Sequence, residues 1–129
     1  AGRILPRLPF PLEVAYLHAS RYGHAIQGTL LDWRVRPTQD LRGRTVLVLD
    51  DILDEGHTLK AIIEHLKEEG AAEVLSAVLV HKLHDRKATP GMRADFSGLD
   101  IADRFLFGCG MDYKGYWRNA PGIYAVKGL

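Results

Sequence analysis

The sequence predicts an α/β fold, a mostly parallel sheet flanked by helices. Three observations lead there. Residues 46–49, Val-Leu-Val-Leu, form a short β-branched and leucine run, the pattern of a strand covered on both faces. Leu59, Ile62, Ile63 and Leu66 then recur at i, i+3, i+4 and i+7, the apolar stripe of an amphipathic helix. Residues 74–80, "VLSAVLV", make a second strand of buried type. Strand, helix and strand within about 35 residues form a βαβ unit, whose parallel strands are joined by a right-handed crossover.

The other elements follow in chain order. The opening "AGRILPRL" reads as the tail of a helix, and the chain begins without a methionine. Residues 12–19, "LEVAYLHA", are apolar-rich with partial alternation and predict a strand. Residues 20–44 show no sustained period and read as a flexible lid loop, since a long structureless stretch inside a compact domain is usually functional. Glu64, Lys67, Glu68 and Glu69 fall outside the helix stripe, and Gly70 is a stop signal. Residues 83–93 are polar with Pro90-Gly91, hence a loop. Shorter strands are expected over 95–98, 104–107 and 123–126. With 129 residues the whole chain, 1–129, is expected to be one domain.

Composition excludes several classes. The formal net charge is +1, from 17 Lys+Arg against 16 Asp+Glu, which argues against a nucleic-acid partner. No apolar run approaches the ~20 residues that span a bilayer, so no membrane partner is expected. The single cysteine, Cys109, makes no internal disulfide and fits a reducing cytoplasm. It reads as a small buried or half-buried residue. His81 and His84, three apart with no third ligand, are a weak metal motif. His18, His24, His57 and His65 read as loop or surface residues, and Trp117 as a core aromatic.

The chemistry gathers at "VLVLDDILDEGHT", residues 46–58, where an apolar strand runs into Asp50, Asp51 and Asp54. An unpaired carboxylate is expensive to bury. In an open parallel sheet, however, ligands bind beyond the carboxyl ends of the strands, where such acids face solvent and ligand. The turn Asp54-Glu55-Gly56-His57-Thr58 opens a helix, and helix N-termini bind phosphate through free N–H groups and a partial positive charge. Gly56 lets the backbone approach closely, and the Thr58 hydroxyl adds a donor. Acids that accept hydroxyl protons beside a phosphate cradle suit a ribose 5-phosphate. A Walker A loop is excluded, because the Gly-Lys-Thr/Ser ending is absent.

This stretch resembles the ribose-phosphate signature of the type I phosphoribosyltransferases. "AVLVHK" and "DRFLFGCGMDYKGYWRN" resemble the hypoxanthine-guanine branch of that family, in bacterial form. The resemblance covers essentially the whole chain. It implies that residues 50, 51, 54, 55, 56, 57 and 58 bind ribose and its 5′-phosphate, with Asp54 the catalytic general acid/base at purine N7. It implies that Lys82 reaches the purine O6, Phe105 stacks on the base and the Leu106 backbone reads the ring edge. Asp112 would face the base and a magnesium ion, with Asp50 and Asp51 as further metal-side acids. Arg118 would contact pyrophosphate. The lid, residues 20–36 above all, would close over the site and exclude water.

The implied reaction transfers ribose 5-phosphate from phosphoribosyl pyrophosphate to N9 of hypoxanthine or guanine. It gives IMP or GMP plus pyrophosphate, with Mg2+ as cofactor, in purine salvage. The partners expected are phosphoribosyl pyrophosphate, a purine base and other copies of the chain, as a homodimer or homotetramer. Three positions depart from the family pattern. Glu55 stands where Thr or Ser usually lines the 5′-phosphate. Arg21 precedes Tyr22 where a Ser-Tyr pair is usual, so Arg21 is either a pyrophosphate clamp or a solvated loop charge. The family's first core strand and pyrophosphate loop are expected upstream of Ala1, which would make this chain N-terminally incomplete. Two alternative readings follow. One is a catalytically weak regulatory protein that binds phosphoribosyl pyrophosphate or a nucleotide. The other is a phosphoribosyltransferase for another base such as xanthine. Adenine is disfavoured, because its 6-amino group cannot accept a proton from Lys82.

Overall fold

The computed structural model describes residues 1–21 and 31–129, with the side chain of Arg21 excluded. Tyr22 and the part of the predicted lid spanning 22–30 lie outside the described residues. The chain divides into two compact units, residues 1–49 with 57–74, and residues 50–56 with 75–129. Among the described residues no helix is long and apolar enough to cross a membrane.

In the first unit a 3-10 turn at Leu5–Arg7 leads into a segment without regular structure. The strand expected over 12–19 is instead β1, His18–Arg21. Leu12, Val14 and Tyr16 are all exposed, so the alternation that suggested a longer strand has no apolar surface to bury against. β1 pairs antiparallel with β2, Leu31–Val35, with a register shift between His18 and Ala19. β2 occupies part of the stretch read as aperiodic. Its Leu-Asp-Trp-Arg-Val sequence does alternate, and Leu31 and Trp33 are the half-buried positions.

Helix α1, His57–Glu68, buries Leu59, Ala61, Ile62 and Leu66. Ala61 joins the stripe, while Ile63 is half-buried. The Trp33 ring lies 4.9 Å from the His65 ring, so α1 and β2 meet through an aromatic contact. The helix stops at Gly70, whose φ of +97° is the left-handed geometry that side chains resist. The Gly70 amide donates to Lys67 O and the Ala71 amide to Leu66 O, satisfying two carbonyls the last turn leaves open.

β3 spans Thr45–Leu53 and β4 spans Glu73–Leu83. Both outrun their apolar cores. Asp50 and Asp51 therefore lie inside the second half of β3 rather than beyond it. Hydrogen bonding orders the sheet β3-β4-β5, where β5 is Phe96–Ala102. β4 and β5 are parallel, with Val80 opposite Leu99 and Lys82 opposite Ile101. β6, Leu106–Phe107, and β7, Tyr124–Ala125, form a short antiparallel ribbon.

The core of the second unit is Val80, Leu106 and Met111, with Ile52, Ile101 and Ile123 packed around them. Two expectations fail here. Cys109 is exposed, and Trp117 is 58% exposed rather than core. Both adopt positive φ, +49° and +71°, in a turn system held by Cys109 N–H to Ala120 O and Gly110 N–H to Arg118 O. Backbone bonding across this loop leaves both side chains outside the core.

Candidate active site

Parallel strands finish side by side, so residues distant in sequence meet at their carboxyl ends. In the second unit this brings Asp54, just past β3, against Lys82, the penultimate residue of β4. The Lys82 ammonium donates to Asp54 Oδ2 at 3.0 Å and lies 3.4 Å from Asp103 Oδ1. Lys82 is only 8% exposed, and two carboxylates offset the cost of burying its charge. Asp54 keeps 47% of its side-chain surface open, so one partner in the pair is enclosed and the other accessible.

Three further residues complete the cluster. His84 Nε2 lies 2.6 Å from Asp54 Oδ1, and the His84 side chain is 4% exposed. The Lys87 ammonium donates to two main-chain carbonyls, Asp54 O at 2.6 Å and Lys82 O at 2.7 Å. Arg86 pairs with Asp103 at 2.9 Å. From sequence alone His84 belongs to a weak metal motif and Lys87 does not stand out. A usable signal is present in the basic residues at the end of β4 and directly after it, Lys82, His84, Arg86 and Lys87.

Electrostatics follow from these contacts. Partial burial pushes the Asp54 carboxyl up, but hydrogen bonds from His84 and Lys82, with the Lys82 charge, outweigh it and leave the pKa below the usual carboxylate value. Asp103 is held low mainly by its hydrogen bond from Arg86. Burial lowers the Lys87 pKa. Asp50 moves the other way. The residue has an exposed flank, yet its carboxyl is sufficiently enclosed that desolvation raises its pKa to about 6. The Asp51 amide, donating to Asp50 Oδ1 at 2.9 Å, opposes that rise, and the Asp51 charge adds to it.

Asp54, His84 and Asp103 each place one potential metal-ligand atom within 4.8 Å of the others. The Lys82 ammonium sits between the two carboxylates, so this group is an ion-pair network. Asp50 and Asp51 carry the hard carboxylate oxygens that magnesium prefers, at consecutive positions in β3. Asp50's raised pKa comes chiefly from desolvation, with the Asp51 charge adding to it, and a cation at the carboxyl would favour its ionised form.

The turn after Asp54 is tight. Gly56 has φ +85°, and a Cβ there would meet Leu53 Cδ1 and Met92 Sδ, each at 2.8 Å. Glu55 is exposed, and its carbonyl accepts the Ala88 amide at 2.8 Å. His57 and Thr58 open α1 in the first unit. The remaining predicted residues form a second group. Asp112 Oδ2 accepts the Gly115 amide at 2.7 Å, while its Oδ1 is 3.2 Å from Arg118 Nη2. Arg118 also donates to Gly110 O at 2.8 Å. Phe105 is 46% exposed and meets Tyr113 edge-on at 5.7 Å. Leu106 buries its side chain in the core while its backbone pairs with Ala125.

Fold and cluster together define an α/β protein with a polar site at the carboxyl ends of its strands. The phosphoribosyl transferase domain family matches residues 1–114, and the chain belongs to that family. It is 35% identical over 117 residues to the hypoxanthine-guanine phosphoribosyltransferase of Streptococcus pneumoniae strain R6, covering 90% of this chain and 64% of that protein. The corresponding Bacillus subtilis protein is 33% identical over 120 residues, with the same coverage. A crystal structure of a hypoxanthine phosphoribosyltransferase from Staphylococcus aureus superposes with a TM-score of 0.88 at 28% identity. That match covers 98% of this chain and 68% of the other. The chain thus spans 64% of the length of these curated relatives.

Proposed function

We propose that the chain carries the base- and ribose-phosphate-binding part of a purine salvage phosphoribosyltransferase. The reaction is transfer of ribose 5-phosphate from phosphoribosyl pyrophosphate to hypoxanthine or guanine. The observation that carries this reading is the accessible Asp54 carboxylate held against the buried Lys82 ammonium at the turn after β3. In the resting cluster Lys82 is committed to Asp54 and Asp103. An incoming 6-oxopurine offers O6 to that ammonium and draws it from Asp54. Asp54 Oδ2 is then released to take the proton from purine N7 as N9 forms its bond to ribose C1′ and pyrophosphate leaves. A positioned carboxylate with a low pKa is available as a base at neutral pH.

Phe105 offers an exposed ring face for the base. Arg118, 60% exposed beyond its Asp112 contact, has guanidinium edges available to pyrophosphate. Asp50 and Asp51 would hold magnesium. The chemistry that ion supplies is neutralisation of charge on pyrophosphate.

The test is turnover of phosphoribosyl pyrophosphate with hypoxanthine, guanine and xanthine separately, following IMP, GMP and XMP. Production of IMP or GMP supports the reading. Binding of phosphoribosyl pyrophosphate in calorimetry without any product would favour the regulatory alternative. The observation on that side is Glu55, an exposed carboxylate in the turn proposed to receive the 5′-phosphate.

A further inference from the structure

We propose that His84 is a positioning residue for Asp54: its Nε2–H anchors Oδ1, so that Oδ2 stays turned toward substrate once Lys82 leaves for the base. This rests on the reading of Asp54 as the general base. The direction of the hydrogen bond follows from two contacts. The Arg86 amide donates to His84 Nδ1 at 3.1 Å, so that nitrogen is an acceptor and carries no proton. The imidazole proton is therefore on Nε2, facing Asp54 Oδ1 at 2.6 Å. Asp54, as a carboxylate, can only accept there.

Lys87 does not compete for that role. Its ammonium lies 3.4 Å from Nε2, donor facing donor, and is committed to the Asp54 and Lys82 carbonyls. Asp54 thus has two side-chain partners of different permanence. Lys82 is the one that substrate recognition takes away. His84, 4% exposed and fixed at its other nitrogen by backbone, is the one that remains. With neither, a carboxylate with nearly half its surface open is free to rotate about its terminal torsion. The proton taken from the base stays on Asp54. His84 donates a hydrogen bond and transfers nothing.

The experiment combines nuclear magnetic resonance with kinetics on the full-length chain. Imidazole 15N shifts of the wild type at pH 7.5 should show His84 as the Nε2–H tautomer, with the Nε2 signal displaced in Asp54→Asn. An Nδ1–H tautomer, or an Nε2 signal indifferent to Asp54→Asn, would overturn the proposal even if no position-84 variant folds. In kinetics, His84→Gln keeps an N–H donor near the Nε2 position and His84→Phe keeps ring bulk without it. A misoriented catalytic group costs up to about 100-fold. His84→Phe should therefore lower kcat about 10- to 100-fold with KM for phosphoribosyl pyrophosphate little changed, and His84→Gln should recover most of the loss. Equal losses in both variants, no loss in either, or a loss confined to KM would each refute positioning. Asp54→Asn serves as the control on the underlying reading. Full activity in Asp54→Asn means that Asp54 is not the base. A crippled Asp54→Asn beside a fully active His84→Phe means that the base assignment stands and His84 is not its anchor.

Discussion

The Lys82 ammonium lies 3.0 Å from Asp54 Oδ2, joining two residues 28 positions apart in the chain. If Asp54 is the base that this contact releases, Asp54→Asn keeps the shape and a partial partner for Lys82 but cannot take a proton. We expect kcat to fall by ~10²–10⁴-fold, the usual worth of general acid/base help, with nucleotide binding far less affected. Steady-state kinetics paired with IMP titration would check this. An unchanged kcat removes Asp54 from the mechanism.

Lys82→Met removes the ammonium and leaves the aliphatic stem. Use of hypoxanthine and guanine should fall by an amount equivalent to about 1–3 kcal/mol in kcat/KM, the cost of a lost buried polar contact. The Asp54 pKa, lowered in part by Lys82, should rise. The acid limb of the pH profile should then move to higher pH. Kinetics from pH 5 to 9 read both effects, and a static acid limb would show that Lys82 does not govern Asp54.

Asp50 makes a prediction with the opposite sign. Its native pKa of about 6 lies above the usual 3.8, so between those values the folded state holds the proton more tightly than the unfolded state. Stability from this group is therefore present at low pH and is lost as pH rises through about 4 to 6. Asp50→Asn should stabilise the protein at pH 7.5 and do much less at pH 4.5. Thermal unfolding at the two pH values tests it, and equal shifts at both would contradict it. Millimolar magnesium should raise the wild-type melting temperature at pH 7.5 and leave that of the variant nearly unmoved.

Gly56→Ala imposes a Cβ at φ +85°, against Leu53 Cδ1 and Met92 Sδ. Met92 can swing its thioether aside, but Leu53 is 1% exposed and has little room to yield. Left-handed strain alone costs on the order of 1–3 kcal/mol. Urea unfolding should show at least that loss. A variant as stable as the wild type would mean that the turn does not need glycine.

The parts of the fold legible in the sequence are those set by local pattern. The run at 46–49, the stripe through Leu59 and Leu66, and the run at 74–80 each announce an element, because strand and helix periods are written in neighbouring residues. The Asp54 turn was legible for the same reason. β2 was not, because its five alternating residues lie in a stretch without a longer period. His84 and Lys87 were not, because their partner is 30 or more positions away and is met only once β3 and β4 finish together. Trp117 misled for a related reason. Its side chain looks like core material, but the backbone of the loop, at φ +71°, decides where it points.

Lys87 grips two main-chain oxygens, those of Asp54 and Lys82, and its grip does not depend on which side chains those positions carry. Replacing Asp54 by Asn or Lys82 by Met erases a charged group without untying the strand ends. The scaffold is therefore insulated from changes at those two side chains, and substitutions at 54 and 82 can alter charge and hydrogen bonding while the two carbonyls remain clasped. Lys87→Ala would do the reverse, leaving both charged groups in place and loosening the frame that holds them.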